Sequence, residues 1–170
     1  EGDVYDSNNR DIAYVNPASY SKWIFAFLEG AVKAANENQF HFDIQFVTDP
    51  LHYVIYPEPN VADRSGNIRE EGGFLHWHQD IGFDEVNNRK LATIVQLSDP
   101  KDYEGGKLQV FDWHYDWDGE DERGEAGWKT VEQKIGMMTL IPVIIPHRVT
   151  KVKGIRYQLI SWFLGDKLNW

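Results

Sequence analysis

Apolar side chains recur at three- and four-residue steps early in the chain and at two-residue steps afterwards. Tyr20, Trp23, Ile24, Phe27, Leu28, Ala31, Ala34 and Ala35 trace one face of a helix. Asn16-Pro17 just ahead reads as an N-cap followed by proline at the first helical position, and Gly30 is the interior weak point. From Phe40 the period changes to 2: Phe40, Phe42, Ile44 and Phe46 alternate with His41, Asp43 and Gln45, the pattern of a strand with one wet face. Short β-like runs follow at Leu51–Tyr56, Phe74–Asp80, Leu91–Leu97, Lys107–Trp113, Met137–Ile141 and Ile155–Leu164, and Asp11–Val15 carries a faint strand pattern. Turn formers such as Pro57-Glu58-Pro59-Asn60, Asp99-Pro100 and Gly154 separate them. The order predicts a mainly β protein, a sandwich or jelly roll supported by an N-terminal helix, with residues 1–170 forming one domain.

Two stretches, Pro57–Gly73 and Asp112–Gly127, are too polar for strands and too long for turns, so they are candidate functional loops. Charge sharpens this picture. The chain of 170 residues carries a formal net charge of −10, yet seven acids against Arg123 fall within Asp112–Glu125. The acidity is thus a property of one loop, and it suggests a polar or basic peptide partner. Nucleic acid and anionic membranes are excluded as general partners, since phosphate binding needs clustered Lys and Arg. No apolar run approaches a membrane span and Glu1 opens no signal-peptide pattern, so a soluble, cytoplasmic protein is expected. With no Cys, thiol nucleophiles, iron–sulfur clusters and Cys-ligated zinc are ruled out. His, carboxylates and a metal remain for chemistry.

The densest candidate is His76-Trp77-His78-Gln79-Asp80. Residues two apart on a strand share a face, so His78 and Asp80 point the same way and offer two metal ligands. A third His from a distant strand would complete a 2-His-1-carboxylate set, the donor group of non-haem iron(II). His-x-Asp alone equally describes a solvated strand face. The distal part of the chain adds His147, in Pro146-His147-Arg148-Val149, and Arg156, in the half-apolar run Arg156–Phe163. A guanidinium buried in such a strand needs an anionic partner, and a small carboxylate held bidentately would serve.

In this order, His78-x-Asp80, Tyr103-Glu104-Gly105-Gly106-x-Leu108, His147-Arg148-Val149 and Gly154-x-Arg156-Tyr157 with Trp162-Phe163, the chain resembles the iron(II)- and 2-oxoglutarate-dependent dioxygenases. Within them it is most similar to the prolyl 4-hydroxylase-like branch, including its small bacterial and phage members. The resemblance implies a cupin-like double-stranded β-helix with His78, Asp80 and His147 as iron ligands. It implies Arg156 as partner of the distal carboxylate of 2-oxoglutarate, with Tyr56 supporting that carboxylate. Gln96 stands where some relatives carry a second tyrosine facing the co-substrate. The segment between Tyr56 and His78 is longer than in many relatives. The implied cofactors are iron(II), 2-oxoglutarate and dioxygen, with ascorbate in support. The implied reaction hydroxylates an unactivated C–H and releases succinate and carbon dioxide.

Other residues are open to two readings. His76 shares the expected face of His78 and Asp80 and is either a support for the ligands or substrate-facing, whereas Trp77 falls on the opposite face, in the core. Gly105-Gly106 is either a simple turn or a close approach of the next strand to the site. Arg148 either binds substrate or pairs with an outer carboxylate. Trp113 and Trp117 in the acidic loop suit an extended or cationic chain, and Pro57–Gly73, with Arg64 and Arg69, reads as a mobile flap opposite. Trp23 and Phe27 read as a buttress packed on the sheet. The substrate is expected to be a prolyl residue of a peptide or protein. The alternatives are a free amino acid or similar small molecule on the same core, or a non-catalytic metal- or sugar-binding jelly roll.

Overall fold

Arg156–Leu164, nine residues in which Tyr157, Ile160, Trp162 and Phe163 favour an extended chain, build the longest described strand, and the rest of the fold is arranged around it. The computed structural model describes residues 9–19, 21–45, 50–63, 65–82, 88–112 and 127–166. In chain order the strands are β1 Asp11–Val15, β2 Leu51–Tyr56, β3 Val61–Ala62, β4 Ile68–Arg69, β5 Leu75–His78, β6 Arg89–Gln96 and β7 Tyr103–Gly105. They continue as β8 Leu108–Phe111, β9 Trp128–Thr130, β10 Met138–Pro142, β11 His147–Val149, β12 Val152–Gly154 and β13 Arg156–Leu164, with the α-helix α1, Lys22–Ala35, after β1.

The major sheet has the order β1-β2-β13-β6-β10 and the minor sheet β5-β11-β8-β9. All pairings are antiparallel, so side chains alternate between two faces in each sheet. Val54, Tyr56, Leu75, Ile94, Leu108, Ile141, Val149 and Ile160 form the core between the sheets. A second cluster, Phe25, Leu28, Val32, Leu51, Leu91, Leu159 and Phe163, joins α1 to the outer face of the major sheet. This is a jelly roll with a helical support. Among the described residues no helix is long and apolar enough to cross a membrane.

Three local expectations change. α1 begins at Lys22, after Ser21, and not at Pro17. The Ser21 hydroxyl accepts from the Ala18 amide and donates to the Asn16 carbonyl, so Asn16-Pro17 opens a turn ahead of the helix. The buried helix face is Phe25, Leu28 and Val32, whereas Trp23 is 69% and Phe27 65% exposed; neither buttresses the sheet. The helix is apolar around much of its circumference, so its periodicity fits two stripes, and packing selects the one containing Phe25.

Residues 40–45 form no strand. A π-helical turn, Asn36–Phe40, ends in His41 with φ 57°, and the Asn36 side chain both accepts from the Phe42 amide and donates to the Phe42 carbonyl. Side-chain bonds thereby replace a strand partner. The alternation survives as burial, with Phe40, Phe42 and Ile44 packed on the helix-side cluster and His41, Asp43 and Gln45 exposed. Phe46 lies outside the described residues.

The expected flap is also anchored. Within residues 57–73, β3 pairs with β4, and the buried Arg69 guanidinium grips the Asp11 carboxylate through two hydrogen bonds of 2.8 and 3.3 Å. Arg64 lies outside the described residues. Gly72 and Gly73 lie so close to the Val152 carbonyl and to Tyr56, respectively, that neither position has room for a Cβ.

Candidate metal and co-substrate site

His147 on β11 is the direct cross-strand partner of His78 on β5, and their rings stand 4.2 Å apart. A bulge creates this pairing. The next paired residues are Val149 and Leu75, so two residues of β5, His76 and Trp77, oppose the single Arg148. The extra residue reverses the alternation. Leu75 points into the core, and two steps are skipped before His78 turns inward as well. His76 therefore does not share the face of His78; it is exposed, with its ring edge-on to Phe74. Trp77 is not core but 39% exposed.

Asp80, just past β5, is held by a hydrogen bond from its amide to the Val143 carbonyl. Its two carboxylate oxygens lie 3.5 Å from His78 Nε2 and 3.5 Å from His147 Nε2. The three donor atoms fall within 4.8 Å of one another. Each imidazole has its far nitrogen against a backbone carbonyl, His78 Nδ1 at 2.8 Å from His76 O and His147 Nδ1 at 2.9 Å from Ile145 O. A carbonyl only accepts, so both Nδ1 atoms carry a proton, which leaves each Nε2, the atom facing Asp80, as the one that binds a metal once it gives up its own proton. That is the tautomer a metal requires.

Electrostatics agree with this donor set. Burial opposes ionisation of Asp80, but contact with His78 and the charges of both imidazoles bring its carboxyl down to about 2. Burial pushes His147 below the usual imidazole value. Burial acts the same way on His78, but the Asp80 carboxylate outweighs it and the net shift is upward. Two imidazoles and one carboxylate can hold a divalent ion and leave positions open, as in non-haem iron(II) sites.

The donors line a cavity of ≈ 230 Å³ that also meets Tyr56, Leu75, Ile94, Gln158, Ile160 and Trp162. Arg156 heads the same inward-facing row of β13, directly opposite Tyr56 of β2. It is 1% exposed, and its Nε and Nη2 donate to Gln96 Oε1 at 3.1 and 2.9 Å. Gln96 is fixed in turn, because its Nε2 donates to the Ser98 carbonyl and the Tyr103 hydroxyl. No described carboxylate pairs with Arg156, and its Nη1 has no hydrogen-bond partner. Gln158 Nε2 donates to the Tyr56 hydroxyl at 3.1 Å while Gln158 Oε1 is unpartnered. A buried cation with a neutral partner and an unmatched N–H fits a carboxylate ligand. The Gly105-Gly106 reading as a close approach is the one realised: a Cβ on Gly106 would lie 3.0 Å from Arg156 Cδ and 2.9 Å from Val152 Cγ2.

Arg156 and Gln96 are not among the residues lining this cavity, and neither are His76 and Arg148. Arg148 faces outward, its Nε donating to Gln109 Oε1, and no described carboxylate pairs with it. Trp113 and Trp117 lie outside the described residues, as does most of the acidic loop. Gln158 goes unmarked by any motif, although the two-residue period from Arg156 places it, and Trp162 enters only as part of the family pattern, with no role in the site. Arg10, Arg89 and His52 also line the cavity, and no sequence pattern points to them.

A jelly roll with two imidazoles and a carboxylate gathered at one end of its interior defines the class. A family model described as the 2OG-Fe(II) oxygenase superfamily matches residues 64–164, more than half of the chain, and the protein belongs to that family. Membership implies iron(II), 2-oxoglutarate and dioxygen, and the donor set and the unmatched Arg156 fit the first two. A PKHD-type hydroxylase of Synechococcus sp. (strain JA-2-3B'a(2-13)) is 26% identical over 136 residues, which cover 79% of this chain and 53% of that protein. The chain thus spans about half the length of the curated relatives it matches. A Pseudomonas putida prolyl-4-hydroxylase superposes with a TM-score of 0.64 at 21% identity, over 92% of this chain and 72% of that one. A Trichoplax adhaerens prolyl hydroxylase, solved with a hypoxia inducible factor oxygen degradation domain peptide fragment, gives 0.67 at 13% identity, over 96% of this chain and 66% of that one. These likenesses concern the fold.

Proposed function

We propose that the protein is an iron(II)- and 2-oxoglutarate-dependent hydroxylase acting on a prolyl residue of a peptide or protein. The carrying observation is the His78–His147 cross-strand pair closed by Asp80, whose three donor atoms lie within 4.8 Å of one another while both Nδ1 atoms are held by backbone carbonyls. In this reading His78, Asp80 and His147 hold the metal, and Arg156 binds the distal carboxylate, steadied by Gln96 and flanked by Tyr56. When bound, iron(II) would activate dioxygen, the oxidant, with 2-oxoglutarate as electron donor: one oxygen atom would pass into succinate as carbon dioxide is lost and the other would be available to hydroxylate the substrate, while ascorbate would keep the metal reduced. The chain's own part is to fix the ligand geometry and to line the cavity with Leu75, Ile94, Val149 and Ile160, which exclude water from the reacting centre. The prolyl assignment draws support from the prolyl hydroxylases among the structural neighbours, one of them bound to a peptide.

The test is succinate formation from 2-oxoglutarate with iron(II) and ascorbate, comparing the wild type with His78→Ala and Arg156→Ala. His78→Ala is expected to lower turnover by more than about 100-fold, beyond what loss of an outer partner costs. Arg156→Ala is expected to raise the KM for 2-oxoglutarate. Unchanged turnover and affinity in both would overturn the assignment. Proline-containing peptides that gain one oxygen, detected by mass, identify the substrate; gain of oxygen only by a free amino acid replaces the peptide reading.

A further inference from the structure

We infer that Arg148 and Trp77 are positioning residues that lock the β5 bulge and thereby keep His78 facing His147. This rests on the proposed reading of His78 and His147 as metal ligands. The donor group exists only because β5 carries one residue more than β11 between the Leu75–Val149 and His78–His147 pairs. With strict alternation from the inward-facing Leu75, Trp77 would enter the core and His78 would point to solvent. A one-residue slip therefore removes a ligand without removing any side chain.

Something must hold the extra residue on the outside, and the structure provides it on the outer face of the minor sheet. Arg148 is the single residue opposite the bulge. Its guanidinium lies 4.9 Å from the Trp77 ring and 5.6 Å from the Trp128 ring of β9. Its Nε donates to Gln109 Oε1 of β8 at 2.6 Å, and Gln109 Nε2 donates to Thr130 Oγ1 of β9. One side chain thus ties all four strands of the sheet together across the bulge. Trp77 and Arg148 are each adjacent in sequence to a ligand, His78 and His147. The bulge carbonyl of His76 is also the group that sets the His78 tautomer. Tightening the bulge and orienting the imidazole are one act.

The test measures binding of cobalt(II) alone, by its visible absorption, to the wild type, Arg148→Met, Arg148→Lys, Trp77→Leu and Phe163→Ala. Arg148→Met keeps the alkyl stem but removes the cation and the donor, and Trp77→Leu alters a half-exposed side chain that the core does not need. Each is expected to weaken cobalt binding by about 10- to 100-fold, the range for residues that orient a ligand. Arg148→Lys, which restores the charge without the Nε donor, is expected to fall between Arg148→Met and wild type. Phe163→Ala softens the fold from the opposite side of the major sheet and is expected to leave the cobalt affinity of the folded protein unchanged. Wild-type affinity in Arg148→Met and Trp77→Leu overturns the inference, as does an equal loss in Phe163→Ala. His78→Ala separates the two claims: if it too binds cobalt like the wild type, the metal-site reading fails and not merely the role of the bulge.

Discussion

The two faces of β13 make opposite use of the same nine residues. On the outward face, Tyr157 stacks on Tyr53 with centroids 5.8 Å apart, Leu159 and Phe163 pack against α1, and the Ser161 hydroxyl is hydrogen-bonded to Thr93. On the inward face, Arg156 Nη1 and Gln158 Oε1 are buried without a hydrogen-bond partner, and the Trp162 side chain lies against Asp80 and helps to hold its carboxyl low. A buried unsatisfied polar group costs about 1–3 kcal/mol. Arg156 and Gln158 put two such atoms on the inward face, and the described outward residues of the strand carry none. Both faces are packed against a buried cluster, and what sets the inward face apart is polar capacity left for a ligand to finish.

The sharpest way to break this contrast is at Phe163. Phe163→Ala removes a buried aromatic ring from the helix-side cluster, and a loss of about 3–5 kcal/mol is expected. Urea unfolding measures it directly. If the two faces are independent, 2-oxoglutarate binding by the remaining folded protein is unchanged; a parallel fall in binding would join what the comparison separates.

Arg156→Met tests the inward face and should give the reverse result. An apolar side chain of similar length replaces a buried cation that has no anionic partner among the described residues, so stability is expected to hold or to rise by about 1 kcal/mol. Binding of 2-oxoglutarate, followed calorimetrically with cobalt(II) in place of iron, should weaken by an amount on the order of 1.5–3 kcal/mol, the usual worth of a charge-assisted hydrogen bond. A marked loss of stability with binding intact would make Arg156 a structural residue.

What the sequence makes legible follows from what its periodicities can encode. A period of 2 correctly groups Arg156, Gln158, Ile160 and Trp162, because β13 is a regular central strand. The same rule fails at His76, because a bulge is a property of two strands together, and neither sequence alone records that β5 has a residue to spare. Around residues 40–45 the alternation describes burial but not hydrogen bonding, since Asn36 supplies the bonds that a neighbouring strand would have made. The helix is found but its face is not, because Trp23 and Phe27 fit an apolar stripe as well as Phe25 and Leu28 do. His78 and Asp80 are within reach of each other by spacing, whereas the approach of His147 is long-range and depends on the register of β11.

The smallest expected effect lies on the helix side. Gly30 sits inside α1, where glycine is disfavoured by about 0.5–1 kcal/mol relative to alanine through the backbone entropy it loses on folding. A glycine is usually retained in a helix because something packs against it, but here a Cβ would meet nothing within 4 Å beyond the helix's own backbone and the adjoining residues. Gly30 borders an open groove walled by Val32, Phe42 and Phe163, so the new methyl would enter solvent and displace nothing. Gly30→Ala is therefore expected to stabilise by most of that propensity difference, a rise in Tm of roughly 1–4 °C for a chain of this size. Cobalt(II) and 2-oxoglutarate affinities should not move, because the groove and the metal cavity lie on opposite faces of the major sheet. A destabilised Gly30→Ala would mean that the helix needs its glycine for close packing after all, and the helix side would then no longer be the simply packed half of the molecule.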